Sequence, residues 1–580
     1  MGSRYFATAL RESLAQGYGR AGLRADLLAG VTVGIVALPL AMALAIASGV
    51  PPQHGLYTVI VAGAVIALAG GSRVNVSGPT AAFVVVLLPI TQQFGLGGLL
   101  LATAMAGAIL LVMGLGRLGR FIELVPYPVT IGFTAGIGVV IATLQLKDFL
   151  GLEVAPAQGH FFAQVGALAR ALPSASGADA LIGVLTLGVL LLWPRWVKRV
   201  PGHLAALLVG SIAAVLATHW LPGFEVATIG SRFHYSLDGV TGSGIPPLLP
   251  HFDWPWRFTG ADGAPLALDF ETLRALLGPA FAIAMLGAIE SLLCAVVADG
   301  MAGTRHDSNG ELIGQGLGNL IAPFFGGIPA TAAIARTATG VRAGAVSPIA
   351  AVVHAGVVLA AMVSLAGLLG YIPMAALAAL LLVVAWNMSE ARHFVRVVRT
   401  APRHDILVLL TCFSLTVALD MVVAVIAGIG LAVTLFLKRT IDLTEGRRVE
   451  QPALHPEPLP DQVALYDING PLFFGAAHKA LGTLKTVTPG LRVVVLDMHD
   501  VNLVDMTGLV ALESLIETAR RRDLGLVFCG LDTRLLLKMR RVGIRRRRGR
   551  LEFARTVAEG IAHAVRMRDA QVAAPSPAAG

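Results

Sequence analysis

From about Leu27 to Lys438 the sequence is a succession of apolar blocks, parted by short stretches rich in Gly, Pro and Arg. The blocks run to about 15–25 residues, and a helix needs roughly 20 to cross the hydrocarbon of a bilayer. A membrane-crossing strand needs only about ten. A segment in lipid must also satisfy its own backbone hydrogen bonds, so blocks of this length predict a helical bundle rather than a barrel. Composition agrees. The chain is 56% hydrophobic and 14% charged, whereas a soluble protein carries about 25% charged residues. Its 66 glycines suit helices packed closely in lipid.

Fourteen spans are predicted, the first over 27–50 and the last over 422–438. Lys and Arg gather in alternate loops, at Arg73, Arg117, Arg120, Arg195, Lys198, Arg199, Arg305, Arg392, Arg396, Arg399 and Arg403. The opposite loops near Pro51, Gly95, Gly327, Gly370 and Asp420 carry none, and the long segment 221–273 falls on their side. The basic side of a membrane protein is cytoplasmic. An even number of spans then leaves both termini in the cytoplasm of a bacterium, with the bundle in the inner membrane. No small-residue cleavage site follows the N-terminal arginines, so no cleaved signal peptide is read. The expected division is a cytoplasmic segment 1–26, a membrane domain 27–438, a linker 439–461, a soluble domain 462–570 and a disordered tail 571–580. In the soluble part, Val463–Ile468, Val493–Leu496 and Leu524–Cys529 read as strands and Gly508–Arg520 as an amphipathic helix, which predicts a small α/β domain.

Two segments in the two halves of the membrane part look alike. Ser77-Gly78-Pro79-Thr80-Ala81-Ala82-Phe83 matches Ile328-Pro329-Ala330-Thr331-Ala332-Ala333-Ile334, and each opens an abnormally short span after a glycine pair. Paired, interrupted short spans mark the substrate site of transporters built on inverted repeats. A helix starting in mid-membrane exposes free N–H groups and its positive dipole end, and two such ends form an anion cradle. The substrate-binding residues expected on this ground are Ser77, Gly78, Pro79, Thr80, Ala81, Thr331, Ala332, Ala335 and Arg336. Intramembrane charges are costly and mark function. Arg336 is read as a fixed cation beside the anion. Glu290, in the apolar run Leu286–Val297, is read as its partner or as the proton carrier. Thr32, Gln53 and Tyr57 are candidates to line the path, His354 is expected to pack, and Asp26 reads as the cap of the first span. Cys294, Cys412 and Cys529 are too far apart in sequence to suggest a metal site or a disulfide framework. No Ser/His/Asp or phosphate-loop pattern suggests an enzyme, and no cofactor is expected. The seven arginines of Arg540–Arg550 suggest a solvated face or contact with anionic lipid, and no nucleic acid.

Several stretches resemble the SulP anion permease family. They are Gly55–Tyr57 with Gly71–Thr80, Leu286–Leu293, and Gly314–Asn319, in order along nearly the whole chain. The C-terminal part is similar to the STAS domain of that family, with Asp505-Met506-Thr507-Gly508 at its Asp-x-Ser/Thr-Gly turn. The resemblance implies seven-plus-seven inverted repeats, a core moving against a gate, a homodimer, and an unidentified cytoplasmic partner for the STAS domain. Ala288–Val297, Ala333–Thr337 and Val384–Glu390 are most similar to the dicarboxylate-transporting bacterial members, which implies proton-coupled uptake of succinate, fumarate or aspartate. Sulfate or bicarbonate transport is the alternative, and an anion channel or a STAS-based signalling scaffold stands behind it. Thr304–Asn309 resembles the sodium-coupled bicarbonate members, but those place Asp and Thr where this chain has Glu290 and Cys294. A thiol is a poor ligand for a hard cation, so protons are expected over sodium. Thr507 occupies the position phosphorylated in soluble STAS relatives, with the alternative that it only caps a helix.

Overall fold

The structure, a computed structural model, describes residues 6–122, 125–154, 161–197, 201–237, 240–419, 421–449, 459–482 and 490–573. Lys198, Arg199, Asp420, most of the Pro-rich stretch 451–461 and most of the tail 571–580 lie outside the described residues. The chain divides into two compact units, Met1–Gly430 and Leu431–Gly580.

The first unit is helical. A short amphipathic helix, α1 (Thr8–Ala15), precedes α2 (Arg20–Ala47) and α3 (Pro52–Ala69). A two-residue strand, β1 (Ser77–Gly78), leads into α4 (Ala81–Leu115), which bends sharply at Gly95 and so makes two crossings. Next come α5 (Tyr127–Phe149), α6 (Phe161–Ala171), α7 (Gly177–Trp196) and α8 (Gly202–Trp220). The segment 221–269 carries a hairpin of β2 (His234–Leu237) and β3 (Val240–Ser243). The second half repeats the plan: α9 (Phe270–Ala302), α10 (Ser308–Ile321), β4 (Thr331–Ala332), α11 (Ile334–Arg342), α12 (Ile349–Leu369) and α13 (Met374–Met388). A basic helix, α14 (Ala391–Thr400), precedes α15 (Arg403–Ala418) and α16 (Met421–Leu443). The fourteen predicted spans are all found, although among the described residues only ten helices are long and apolar enough to cross unaided. The shortest, α11, starts only after the two extended residues of β4, as the first half of α4 starts only after β1.

Packing sorts these helices into two groups. In one, α2, α3 and α4 pack on α9, α10, α11 and α12; in the other, α5, α7 and α8 pack on α13 and α15. Glycine allows the closest approaches. A Cβ at Gly107 of α4 would lie 2.4 Å from the Leu320 amide, and one at Gly316 of α10 would lie 2.7 Å from Leu111. Segment 252–266 closes over this group: Phe252 stacks on Phe324 at 5.6 Å, and the Gly97 amide donates to the Thr259 carbonyl at 3.0 Å.

Asp26 differs from its expected role. It lies inside α2, fully buried, and caps a different helix. Its carboxylate accepts from the Val346 amide at 2.8 Å, the Ser347 amide at 3.2 Å and the Ser347 hydroxyl at 2.5 Å, just before α12, and from Tyr18 Oη at 2.9 Å. A cap was expected because Asp stands before the apolar run, but the helix starts earlier, at Arg20, and the carboxylate serves the neighbouring chain.

The second unit is an α/β domain. Its sheet has the order β5 (Glu445–Val449), β6 (Val463–Asn469), β7 (Val493–Asp497), β8 (Gly525–Cys529) and β9 (Leu551–Ala554), parallel except for β5. β5 lies in the stretch expected to be linker. The helices α17 (Phe474–Gly482), α18 (Met506–Arg521), α19 (Thr533–Arg541) and α20 (Val557–Ala573) complete it. One core buries Leu472, Leu496, Leu512 and Phe528; a second buries Val495, Val527, Ala564 and Met567 on the opposite face. Lys479 Nζ donates to the carbonyls of Ile441 (3.3 Å) and Asp442 (2.8 Å), tying α17 to the end of α16. The arginines of 540–550 are exposed around the turn from α19 into β9; Arg546 pairs with Glu552, and Arg550 meets Asp523 at 3.7 Å.

Two outcomes follow. Asp26→Ala strands four donors, and a buried polar group left unpaired costs about 1–3 kcal/mol, so the melting temperature of the purified protein drops by several degrees, and by less in Asp26→Asn. Burial holds the Asp497 carboxyl above the usual carboxylate range, helped by Asp467 and Asp500. A raised folded-state pKa means the ionised form destabilises the domain, and stability returns as pH falls through that value. Asp497→Asn therefore slows amide hydrogen exchange in the sheet at neutral pH, and its advantage over the wild type disappears in acid.

Candidate functional site

The two similar segments meet. β1 and β4 pair antiparallel, with Ser77 opposite Ala332 and Gly78 opposite Thr331. Each strand then turns into a helix, α4 after Thr80 and α11 after Ala333. Neither helix start has a side-chain cap. Uncapped first turns leave N–H groups and the positive end of the dipole available. Thr80 is a residue type that usually caps, yet its hydroxyl donates instead to Glu290 Oε2 at 2.9 Å.

Arg336 is the third residue of α11 and only 2% exposed. Its guanidinium crosses to the other half, where Nη2 donates to the Pro79 carbonyl at 2.6 Å. Nε and Nη1 are buried without a hydrogen-bond partner. A Cβ on Gly78 would lie 2.5 Å from Nη1, so any side chain there would displace the guanidinium. A buried cation with two unused donors beside two uncapped helix starts is an arrangement that favours an anion. Of the two roles read for Glu290, partner of Arg336 or proton carrier, no direct pairing is seen: Glu290 takes the Thr80 hydroxyl, and Arg336 takes a backbone carbonyl.

Helix α9 holds both halves. Ser291 Oγ lies 2.7 Å from Thr331 Oγ1 and accepts from the Ala332 amide at 3.2 Å; Thr331 in turn donates to the Gly287 carbonyl at 3.1 Å. Cys294, one turn on, donates to Thr337 Oγ1 at 3.4 Å, and that hydroxyl also accepts from the Val76 amide at 3.0 Å. Ala81 is buried; Ala335 is exposed on the first turn of α11.

A second layer escaped the sequence reading. Glu311, Gln315 and Asn319 sit four residues apart, on one face of α10. Glu311 is 1% exposed, and it accepts from the Gly71 and Ser72 amides (3.1 and 3.0 Å) and from Asn75 Nδ2 (3.0 Å). Gln315 Nε2 donates to Ser77 Oγ at 3.0 Å, and Asn319 exchanges two hydrogen bonds with Ala330. The signal was present as a polar stripe at helical spacing. On α3, His54 Nδ1 meets the Gly326 carbonyl at 2.7 Å, and Thr58 donates to the Ile328 carbonyl at 3.0 Å. Gln53 Oε1 and Tyr57 Oη are buried without partners, Thr32 donates to the Leu28 carbonyl of its own helix, and His354 is fully buried with both ring nitrogens unpartnered.

Asp299, His306 and Ser308 are hydrogen-bonded in series, with Asp299 Oδ2 to His306 Nδ1 at 2.7 Å and His306 Nε2 to Ser308 Oγ at 3.1 Å. The Asp299 carboxylate also accepts from Thr304 and from the His306 amide, so the cluster ties the α9–α10 turn together. In the second unit Thr507 is not the cap of α18. Asp505 caps it, accepting from the Gly508 amide at 2.7 Å, and Thr507 is the second helical residue.

Fourteen crossings folded around two facing, uncapped half-helices define a multi-pass anion transporter. The sequence pattern described as the sulfate permease family matches residues 23–412, and that of the STAS domain matches 458–560. The chain belongs to the sulfate permease family. It is 38% identical to a Bacillus subtilis (strain 168) protein named "Putative sulfate transporter YvdB", over 93% of this chain and 97% of that one. It is 30% identical to the bicarbonate transporter BicA of Picosynechococcus sp. (strain ATCC 27264 / PCC 7002 / PR-6), over 86% and 87%. The fold matches murine Solute Carrier 26 family member A9, solved in the inward-facing state, with TM-score 0.82 and 18% identity, covering 97% of this chain and 94% of that one. The chain is thus a membrane transporter of small anions and not an enzyme.

Gly78→Ala drives a methyl group against Arg336. Anion uptake into proteoliposomes is expected to fall about tenfold, equivalent to ~1.4 kcal/mol, while the melting temperature stays near the wild-type value.

Proposed function

We propose that this chain imports a small anion together with protons, binding the anion between the starts of α4 and α11, and that four-carbon dicarboxylates are its substrates. One observation carries the coupling: the Glu290 carboxylate is held by the Thr80 hydroxyl at the mouth of one half-helix, and it forms no ion pair among the described residues. A proton on Glu290 removes a negative charge beside the anion. Its loss restores repulsion, so binding of the anion and of the proton favour each other. Arg336 supplies a fixed positive charge and its two unused N–H donors to anion oxygens. Ser77, Gly78, Pro79, Thr80, Ala81, Thr331, Ala332 and Ala335 form the cradle. Cys294 beside Glu290 supports protons over sodium.

The dicarboxylate assignment rests on the resemblance of Ala288–Val297, Ala333–Thr337 and Val384–Glu390. A second reading, sulfate or bicarbonate, is favoured by the names of the relatives at 38% and 30% identity. In either case the helices that carry the cradle move as a core against the gate group of α5, α7, α8, α13 and α15. The protein works as a homodimer in a bacterial inner membrane, with both termini cytoplasmic. Thr507 is a modification site: a phosphate would place about −1.5 to −2 charges beside the exposed apolar Leu503, Met506 and Val510, changing which cytoplasmic partner docks there.

Uptake of labelled succinate, sulfate and bicarbonate into proteoliposomes, under imposed proton or sodium gradients, tests the reading. Expected is succinate uptake driven by an inward proton gradient, abolished in Arg336→Ala. In Glu290→Gln, uptake no longer responds to the gradient. Uptake of an inorganic anion alone would overturn the substrate assignment. A sodium requirement with indifference to pH would overturn the coupling.

A further inference from the structure

A cavity of about 490 Å³ opens between α5, α13, α14 and α15, away from the cradle. Its wall on α5 is made of Val139 and the small residues Ala135, Gly138 and Ala142, and its rim carries Trp386, which is 69% exposed. The lining is apolar except for the Ser389 hydroxyl, already spent on the Trp386 carbonyl at 2.8 Å, and the indole N–H of Trp386 at the exposed rim. No charged side chain lines the cavity, so nothing inside it offsets the cost of burying an anion, and it is not a substrate site. Helix α14 forms one end of it through Ala391, Phe394 and Val395, with the Phe394 ring 5.3 Å from that of Phe413.

The adjacent face of α14, about 100° round the helix from the lining residues, has the opposite character. Arg392, Arg396 and Arg399 follow at spacings of four and three, which makes one stripe on a helix, and all three are exposed. Among the described residues none of them forms an ion pair, because Glu390 pairs with His393 at 3.1 Å. Three unpaired cations thus stand beside an apolar groove set into membrane-crossing helices. Hydrocarbon fills such a groove without loss, and the arginines require an anionic group at the groove's end.

We infer that this groove binds one anionic phospholipid, its acyl chain between α5 and α13 and its phosphate on the Arg392, Arg396 and Arg399 stripe of α14. The volume suits a single acyl chain, and the charge selects the headgroup. A zwitterionic lipid can offer the same chain but not the same net charge. The groove lies among the helices proposed as the gate, so its occupant bears on a moving surface of the transporter, although binding does not depend on what is carried.

Native mass spectrometry of the full-length protein, extracted from bilayers of equal phosphatidylglycerol and phosphatidylcholine, tests this without reference to transport. The wild type is expected to retain phosphatidylglycerol over phosphatidylcholine by about tenfold or more, as an attraction near 1 kcal/mol per arginine allows. Replacing all three arginines by Gln should erase the preference, and replacing all three by Lys should keep most of it. Ala142→Phe, which fills the groove and leaves the charges, should lower retention of both lipids. Equal retention by the wild type would overturn the inference, as would a preference that survives the Gln variant or retention unchanged in Ala142→Phe. Loss of all lipid, with disulfide cross-linking of two copies through Trp386→Cys, would show the groove to be an interface between copies and would also overturn it.

Discussion

Everything in the membrane unit depends on one pair of broken crossings being tolerable inside a bilayer. Backbone that leaves the helix in lipid loses hydrogen bonds worth several kcal/mol each, so it survives only where protein supplies replacements. Here β1 and β4 supply them to each other, and α9, α10 and α3 supply more through Ser291, Asn319, His54 and Thr58. The cradle is therefore a by-product of satisfying the backbone. Polar side chains converge on it because two extended segments had to be paired, and the N–H groups left over are those of the two uncapped helix starts.

The plan of the fold was legible because hydropathy is additive along a chain. Fourteen blocks gave fourteen crossings, and the likeness of Ser77–Phe83 to Ile328–Ile334 located the place where the halves meet. What the sequence did not carry was distance. Asp26 looked like the cap of its own helix, yet its acceptors serve residues more than three hundred positions away. Glu290 and Arg336 looked like partners because both are charges in apolar surroundings. Each instead found a nearer group, a threonine hydroxyl and a proline carbonyl. Glu311 went unread because a carboxylate near a predicted helix end passes for a cap, whereas here four amide and side-chain donors surround it. In the soluble unit, strands of alternating or β-branched residues were read well. β5 was not, since Glu445–Val449 carries two arginines and pairs only along a sheet edge.

The two units are built on different accounts of water. The first places apolar side chains outward and keeps its polar contacts inside, with glycines such as Gly107 and Gly316 letting backbones touch. The second reverses this, with two apolar layers on the faces of a sheet and arginines outside. Within the second unit, the bonds from Lys479 to the Ile441 and Asp442 carbonyls hold α17 against the residues that lead into β5.

The two half-helices are alike in backbone but not in charge. The third residue of α4 is Phe83 and that of α11 is Arg336, and both are buried almost completely. A duplicated scaffold with the same residue at both places would present identical surroundings to an ion arriving from either face of the membrane. With an arginine in one half and a phenylalanine in the other, the symmetry of the chain trace is broken at its centre: a repeated backbone carries an electrostatic polarity that its topology alone would not have.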